Sequence, residues 1–336
     1  MAPFQQKHSP YWKGLCLLMA LTTATLFGPG LAQSTPSSKR GLAFRGDDHD
    51  SDNRLLLSEN SSITWYYTWS ANTSPLIGDS VVFIPLIHGV DDASNQQVMD
   101  VINSLPASST HLLTFNEPDG TTSSGGSSIS PEDAARSYLS DIVPLRTTSG
   151  RRSRTWNISH PVVTGSEQGL DWLRQFNASC YELDDGGCPA DFVAAHWYGD
   201  FAGLASWLGT LREFYNPSND TASQRRFWVT EMALPQAGEE DTLAMMNESL
   251  RYLDGLDDVE GYAWFGVFRE DEANAWTGNN VALFDDDGGL TELGALYLGG
   301  EARGFDVGMT GGAGYSRISV VAMIVCFIVV VALQRV

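Results

Sequence analysis

Lysine is nearly absent from this chain: in 336 residues it occurs only at Lys7, Lys13 and Lys39, and 20 basic side chains stand against 41 acidic ones. The formal charge of −21 argues against nucleic acid or an anionic membrane surface as partner, because either polyanion would be repelled. Cysteine is scarce as well. Of the four, Cys16 and Cys326 fall in apolar terminal segments, which leaves Cys180 and Cys188 for the folded part. In an oxidising compartment that pair is expected to close a disulfide, and its short loop makes the effect local stiffening more than global stability. No His-Glu-x-x-His occurs and no metal-ligand spacing surrounds any histidine, so neither metal nor cofactor is expected. No Gly-x-Gly-x-x-Gly follows the first β-rich run, so the fingerprint of a dinucleotide-binding open sheet is missing.

The two ends do carry apolar runs. Lys7 and Lys13 precede the stretch from Leu15 to Phe27, which Pro29 and Gly30 break before the small residue Ala32. Residues 1–32 thus read as a secretory signal peptide, too short and too interrupted for an anchor helix. Residues 33–40 form a Ser/Pro-rich leader ending in the dibasic pair Lys39-Arg40, where a second trimming would fall. Near the C-terminus a Gly-rich spacer, residues 304–317, leads into the hydrophobic segment 318–336, with 16 uncharged residues from Ile318 to Leu333. Small residues, a spacer and an apolar tail read as a GPI-attachment signal. A retained single span is the competing reading, although the run falls just below the roughly 17–25 residues that a spanning helix needs. Both place the protein outside the cell, secreted and held at the surface or wall, with the C-terminal anchor as its membrane contact. Six Asn-x-Ser/Thr sequons, at Asn60, Asn72, Asn157, Asn177, Asn219 and Asn247, fit secretion and are glycosylation candidates.

Between the ends, residues 41–303 make about 260 residues, near the length of one TIM barrel. Eight β-rich runs recur there: Gly41 to Arg45, Ser62 to Trp69, Ser80 to Gly89, His111 to Glu117, His160 to Gly165, Asp191 to Tyr198, Arg226 to Ala233 and Gly261 to Val267. Most are continuously apolar, as strands buried on both faces are. Helical spacing lies between them, at Asn95 to Leu105, at Ala134 to Leu145 after a helix start marked by capping Ser130 and Pro131, and at Leu170 to Phe176, Leu204 to Tyr215, Asp241 to Leu253 and Leu293 to Leu298. The intervals after the first two runs are too short for a full helix. The expectation is an α/β fold, a compact (β/α)8 TIM barrel forming a single catalytic domain and, being self-contained, a monomer.

Chemistry in such barrels gathers where the strands end. The fourth run ends Phe115-Asn116-Glu117-Pro118-Asp119, and the seventh ends Trp228-Val229-Thr230-Glu231-Met232. A carboxylate at the end of a buried strand is costly unless it is used. Two facing one cleft repel, so that one can hold a proton while the other stays ionised, as glycoside hydrolysis requires. Ten tryptophans and eleven tyrosines in so acidic a chain suit a neutral ligand gripped by flat rings.

Lys39-Arg40-Gly41-Leu42-Ala43, Trp65-Tyr66-Tyr67-Thr68-Trp69, Asn116-Glu117-Pro118, His196-Trp197-Tyr198-Gly199 and Trp228-Val229-Thr230-Glu231 together resemble glycoside hydrolase family 128, of clan A, in matching order from Gly41 to Gly299. The resemblance implies hydrolysis of β-1,3-glucan by a retaining endo mechanism, with Glu117 as acid/base and Glu231 as nucleophile. It implies that Asn116 hydrogen-bonds the 2-hydroxyl of the sugar being cleaved. Trp65, Trp69, Trp197, Tyr198 and Trp264 become the candidate sugar platform, and His196 is expected to contact sugar or to orient Glu231. Two departures stand out: His88-Gly89 replaces a frequent Trp-Gly pair, and the stretch after the fifth run, Gly165-Ser166-Glu167-Gln168-Gly169, is short. Glu167 reads as a substrate contact or solvated residue. A wall-binding protein without turnover, and a clan A hydrolase for mannan or xylan, are the other readings that share these residues.

Overall fold

The computed structural model describes residues 38–46, 49–147, 154–217 and 224–312. The signal segment, most of the leader, the 318–336 anchor, Cys16, Cys326 and Asn219 lie outside them.

The apolar runs become nine parallel strands: β1 (Arg40–Ala43), β2 (Ile63–Tyr67), β3 (Val82–Phe83), β4 (Leu86–Ile87), β5 (His111–Asn116), β6 (Asn157–Val162), β7 (Phe192–Tyr198), β8 (Arg226–Ala233) and β9 (Val259–Trp264). Their order across the sheet is β3-β2-β1-β9-β8-β7-β6-β5-β4. The two edges, β3 and β4, are separated in the chain by Ile84 and Pro85 alone. Ile84 and Leu86 donate backbone N–H groups to Tyr66 and Ser70 on one side, while Pro85 and His88 accept from Leu113 and Asn116 on the other. Proline has no N–H to give, so the ladder breaks there, yet one irregular run serves as the third of eight barrel positions. The sheet curls until its edges meet, and the (β/α)8 expectation is met.

Side chains alternate along each strand. Leu42, Tyr66, Leu112, Val193, Val229 and Tyr262 face the helices, whereas Ala43, Tyr67, Leu113, Ala194, Trp228 and Ala263 fill the barrel. Trp65 and Trp228 form its floor, ring centroids 4.9 Å apart. Both rings need glycine beside them: a Cβ on Gly41 would stand 2.1 Å from Trp65, and one on Gly261 2.5 Å from Trp228.

The helices are α1 (Asp50–Leu56), α2 (Val90–Ala93), α3 (Gln96–Ser104), α4 (Pro131–Ser137), α5 (Glu167–Leu183), α6 (Phe201–Tyr215), α7 (Glu239–Gly255) and α8 (Glu292–Leu298). Side-chain caps fix their starts: Ser130 accepts from Asp133 N with Pro131 as first helical residue, Ser166 from Gly169 N, and Asp200 from Gly203 N. Among the described residues no helix lies between β2 and β3, and the interval after β1 holds only a short one. It is seven residues long and is pinned by fully buried Asp52, whose carboxylate meets Arg269 at 2.8 Å. The helix whose start the sequence marks at Ser130-Pro131 does begin at Pro131, but it stays regular only to Ser137; it then widens into a π turn over Tyr138–Ile142 and tightens where Pro144 removes a donor.

Residues on both sides of 41–303 also pack against the barrel. Arg40 opens β1 and donates to the carbonyls of Leu296 and Tyr297, while Lys39 donates to those of Leu253 and Leu256, so the dibasic pair belongs to the fold and not to the leader. Gly308 N donates to Leu290 O, Leu290 N to Met309 O, and Arg54 to Gly311 O, so the first part of the expected spacer packs on the barrel. Cys180 and Cys188 are bonded, tying the end of α5 to the run before β7. Among the described residues no helix is long and apolar enough to cross a membrane.

Candidate active site

At the C-terminal ends of the strands, β5 and β8 bring Glu117 and Glu231 to one place. Glu117 follows two register shifts in β5, and both Phe115 (φ 36°) and Glu117 (φ 40°) adopt left-handed backbone that non-glycine residues avoid. Such strain persists only where surrounding bonds hold it, here Glu117 N to Val162 O and Asn116 N to His88 O. Glu231 leaves β8 next to a further register shift. One ligand atom from each of Glu117, His196 and Glu231 lies within 4.8 Å of the others.

The two carboxylates differ in their surroundings. Glu231 accepts three hydrogen bonds, from Trp69 Nε1 at 2.6 Å and Tyr67 OH at 3.0 Å on Oε1, and from Tyr198 OH at 2.5 Å on Oε2. Donors aimed at a carboxylate favour its charged form and fix its direction. Burial first, and the Glu231 charge second, push the hydroxyls of Tyr67 and Tyr198 well above their ordinary range, so both remain neutral donors. Glu117 has the more exposed side chain, 13% against 7%, and bonds at 2.9 Å to His196 Nδ1. Nε2 of His196 lies 3.4 Å from Glu231 Oε1, an ion-pair distance without hydrogen-bond alignment. Burial opposes a charge on this histidine, but Glu231 and then Glu117 outweigh it and raise its pKa.

Above the pair opens a cleft of about 970 Å³. Its lining changes character around the ring. From β4 to β6 it is polar: His88, Asn116, Ser123, Ser124, Gly125 and Thr164. From β7 round to β2 it is aromatic: Tyr198, Phe265, Trp276 and Trp69. The carbonyl of Gly125 is clamped at 3.0 Å by Asn116 Nδ2 and at 3.1 Å by His88 Nε2, so His88 helps to shape the polar wall. Asn116 Oδ1 is buried without a protein partner. A pyranose ring, flat and apolar on its faces and hydroxylated at its edge, matches a cleft divided in this way.

Of the expected platform, Trp69 and Tyr198 line the cleft and touch Glu231. Trp65 does not: it is 3% exposed in the barrel floor, with its Nε1 bonded to Lys39 O. Trp264 does not either, being fully buried and bonded to Val281 O. Trp197 is turned away from the cleft, its ring wedged against Gly203 and its Nε1 bonded to Asp200 O. Glu167 opens α5 and lies outside the cleft lining. Asn60, Asn72 and Asn157 are exposed and Asn177 and Asn247 half-buried.

Tyr67, Phe265, Trp276 and Arg45 escaped the sequence reading. For Tyr67 the signal was present: Trp65, Tyr67 and Trp69 alternate onto one face, with depth along the barrel deciding which becomes floor and which cleft. Trp276 sits on a loop, where no periodicity marks it.

The sequence model of the family described as the glycosyl hydrolase catalytic core matches residues 41–297. The alkali-sensitive linkage protein 1 of Schizosaccharomyces pombe is 33% identical over 275 residues, 79% of this chain. This chain spans 45% of that relative's length. The crystal structure of a GH128 subgroup VI exo-β-1,3-glucanase from Aureobasidium namibiae superposes with a TM-score of 0.62 at 20% identity, covering 79% of this chain and 97% of that one. A GH128 subgroup III curdlan-specific exo-β-1,3-glucanase from Blastomyces gilchristii, in complex with glucose, gives a TM-score of 0.58 at 26% identity over 78% of this chain and 98% of its own. Other matching structures are oligosaccharide-binding proteins.

Proposed function

Because this chain belongs to the glycosyl hydrolase catalytic core family, as a member of glycoside hydrolase family 128, we propose that it is a retaining endo-β-1,3-glucanase acting at the cell surface. The single observation that carries the reading is the Glu117–Glu231 pair, brought within 4.8 Å at the base of a sugar-sized cleft. Retaining glycosidases use carboxyl groups about 5–5.5 Å apart, whereas inverting ones leave room for a water between them.

Glu231, oriented by the donors Tyr67, Trp69 and Tyr198, attacks the anomeric carbon while the glycosidic bond breaks. Glu117 gives its proton to the departing oxygen, then takes one from the water that hydrolyses the glycosyl-enzyme. Once Glu231 is esterified its charge is gone, and His196 faces Glu117 as the remaining carboxylate. Asn116 Nδ2, fixed by Gly125 O, keeps a second N–H for a sugar hydroxyl. Cleft lining on both sides of the carboxylate pair supports endo action. The Cys180–Cys188 bond and the terminal apolar segments support secretion and surface anchoring, and the closed barrel supports a monomer.

The test is release of reducing ends from laminarin. The protein is expected to release them, and Glu231→Ala to abolish release. Full activity in that variant would overturn the mechanism, and laminarin binding without product would favour a non-catalytic glucan-binding protein.

A further inference from the structure

Trp276 is 58% exposed, an unusual state for an indole, and it stands on the cleft rim. Its ring meets that of Tyr198 edge to face at 4.7 Å, and Tyr198 is the residue whose hydroxyl holds Glu231 Oε2. The platform therefore begins one aromatic ring away from the nucleophile.

The loop carrying it is heavily tethered. Asn274 Oδ1 accepts from the backbone N–H groups of Trp276 and Thr277, at 3.0 and 2.8 Å. Gln236, across the cleft rim on the loop after β8, donates from Nε2 to the carbonyls of Ala275 at 2.8 Å and Trp276 at 3.0 Å, and its own N–H bonds to Thr277 O. Gln236 does this from a left-handed conformation, φ 57°, which a non-glycine residue adopts only at a cost. Asn280 ties the far side of the loop to Ala237 O. A strained residue and three side-chain tethers fix the backbone, yet the indole they position buries little of itself. Exposed apolar surface held this rigidly at a cleft fits a ligand contact, because a preorganised ring loses little entropy on binding.

We infer that Trp276 forms a binding subsite for the apolar face of an uncharged glucosyl ring next to the one being cleaved, with Gln236 as its positioning residue. The inference rests on the glucanase reading for the identity of the sugar but not for the existence of the subsite. Trp69 and Tyr198 are committed to Glu231 through their polar atoms. Phe265 is packed against Trp69, Tyr198 and Phe268, which leaves Trp276 as the most exposed ring on that wall.

The test is calorimetric titration of laminarihexaose, laminaribiose and cellohexaose into the full chain carrying Glu117→Gln, which slows turnover and leaves the Trp276 side of the cleft unchanged. Adding Trp276→Ala is expected to weaken laminarihexaose about ten-fold, the scale of one aromatic contact, with the thermal midpoint unmoved and Trp276→Tyr restoring most of the affinity. Adding Gln236→Glu, which cannot donate to two carbonyls, should weaken hexaose binding in the same direction, and not when Trp276 is already alanine. Equal affinity with and without Trp276 would overturn the subsite while leaving the glucanase reading intact. Tight, Trp276-dependent binding of cellohexaose alone would uphold the subsite and overturn the β-1,3 assignment. Absence of binding by all three sugars would overturn both.

Discussion

The indole of Trp69 donates to Glu231 Oε1 at 2.6 Å, across 162 residues of sequence, from a backbone held at φ 54°. A bond to a charged, nearly buried acceptor is worth roughly 1.5–3 kcal/mol. Trp69→Phe keeps an aromatic surface and removes the donor, so kcat/KM on laminarin is expected to fall about 10- to 100-fold. Tyr198→Phe should act in the same range, and steady-state kinetics of the two variants checks both.

His196 makes stability depend on pH. Its pKa in the folded chain is raised above the ordinary 6.5, because Glu231 and Glu117 outweigh the burial that opposes its charge. A raised histidine stabilises most fully below its unfolded value and loses that contribution as pH rises through its folded value. The gap in thermal midpoint between the native chain and His196→Gln is therefore expected to be largest below about pH 6 and to narrow on the alkaline side. A gap that widens with rising pH would show that the imidazole is held neutral.

His160 predicts the opposite trend. Fully enclosed between Tyr215 OH and Cys188 O, it has its pKa lowered to about 4 by burial. Its contribution is complete above 6.5 and is lost as pH falls toward 4, because the unfolded chain takes up the proton first. The loss should be on the order of 3 kcal/mol across that interval. Denaturant melts at pH 7 and pH 4 should show it in the native chain and to a much smaller extent in His160→Gln.

Trp65 and Trp264 resemble sugar-binding residues by sequence context but are core residues by position. Truncating either to alanine should cost about 3–5 kcal/mol of stability, while the fraction that still folds keeps its KM for laminarin. Urea unfolding beside kinetics separates that outcome from a loss of binding.

These tryptophans mark where the sequence stops being legible. The strands could be read because Val193-Ala194-Ala195 and similar runs need burial on both faces, and the helix starts because Ser130 and Pro131 satisfy donors locally. Glu117 and Glu231 could be read because a charge at the end of such a run is expensive. The barrel's closure through Ile84-Pro85 could not, since it depends on both neighbours of the third strand at once. The depth of Trp65 relative to Trp69 depends on Gly41 beside its ring and on Trp228, which packs against it from a distant strand and itself needs Gly261. Trp276 owes its place to Gln236 and Asn274 on two loops, where side-chain bonds, not periodicity, set the geometry.

The proposed mechanism requires Glu231 to attack sugar carbon directly while Glu117 supplies and recovers the proton. Proton NMR of laminarihexaose hydrolysis, recorded before mutarotation, reads this from the anomeric signal of the first product. Double displacement predicts that the new reducing end appears in the β configuration, with α growing in only later. An α product appearing first would show a single displacement by water and would contradict the roles given to both glutamates.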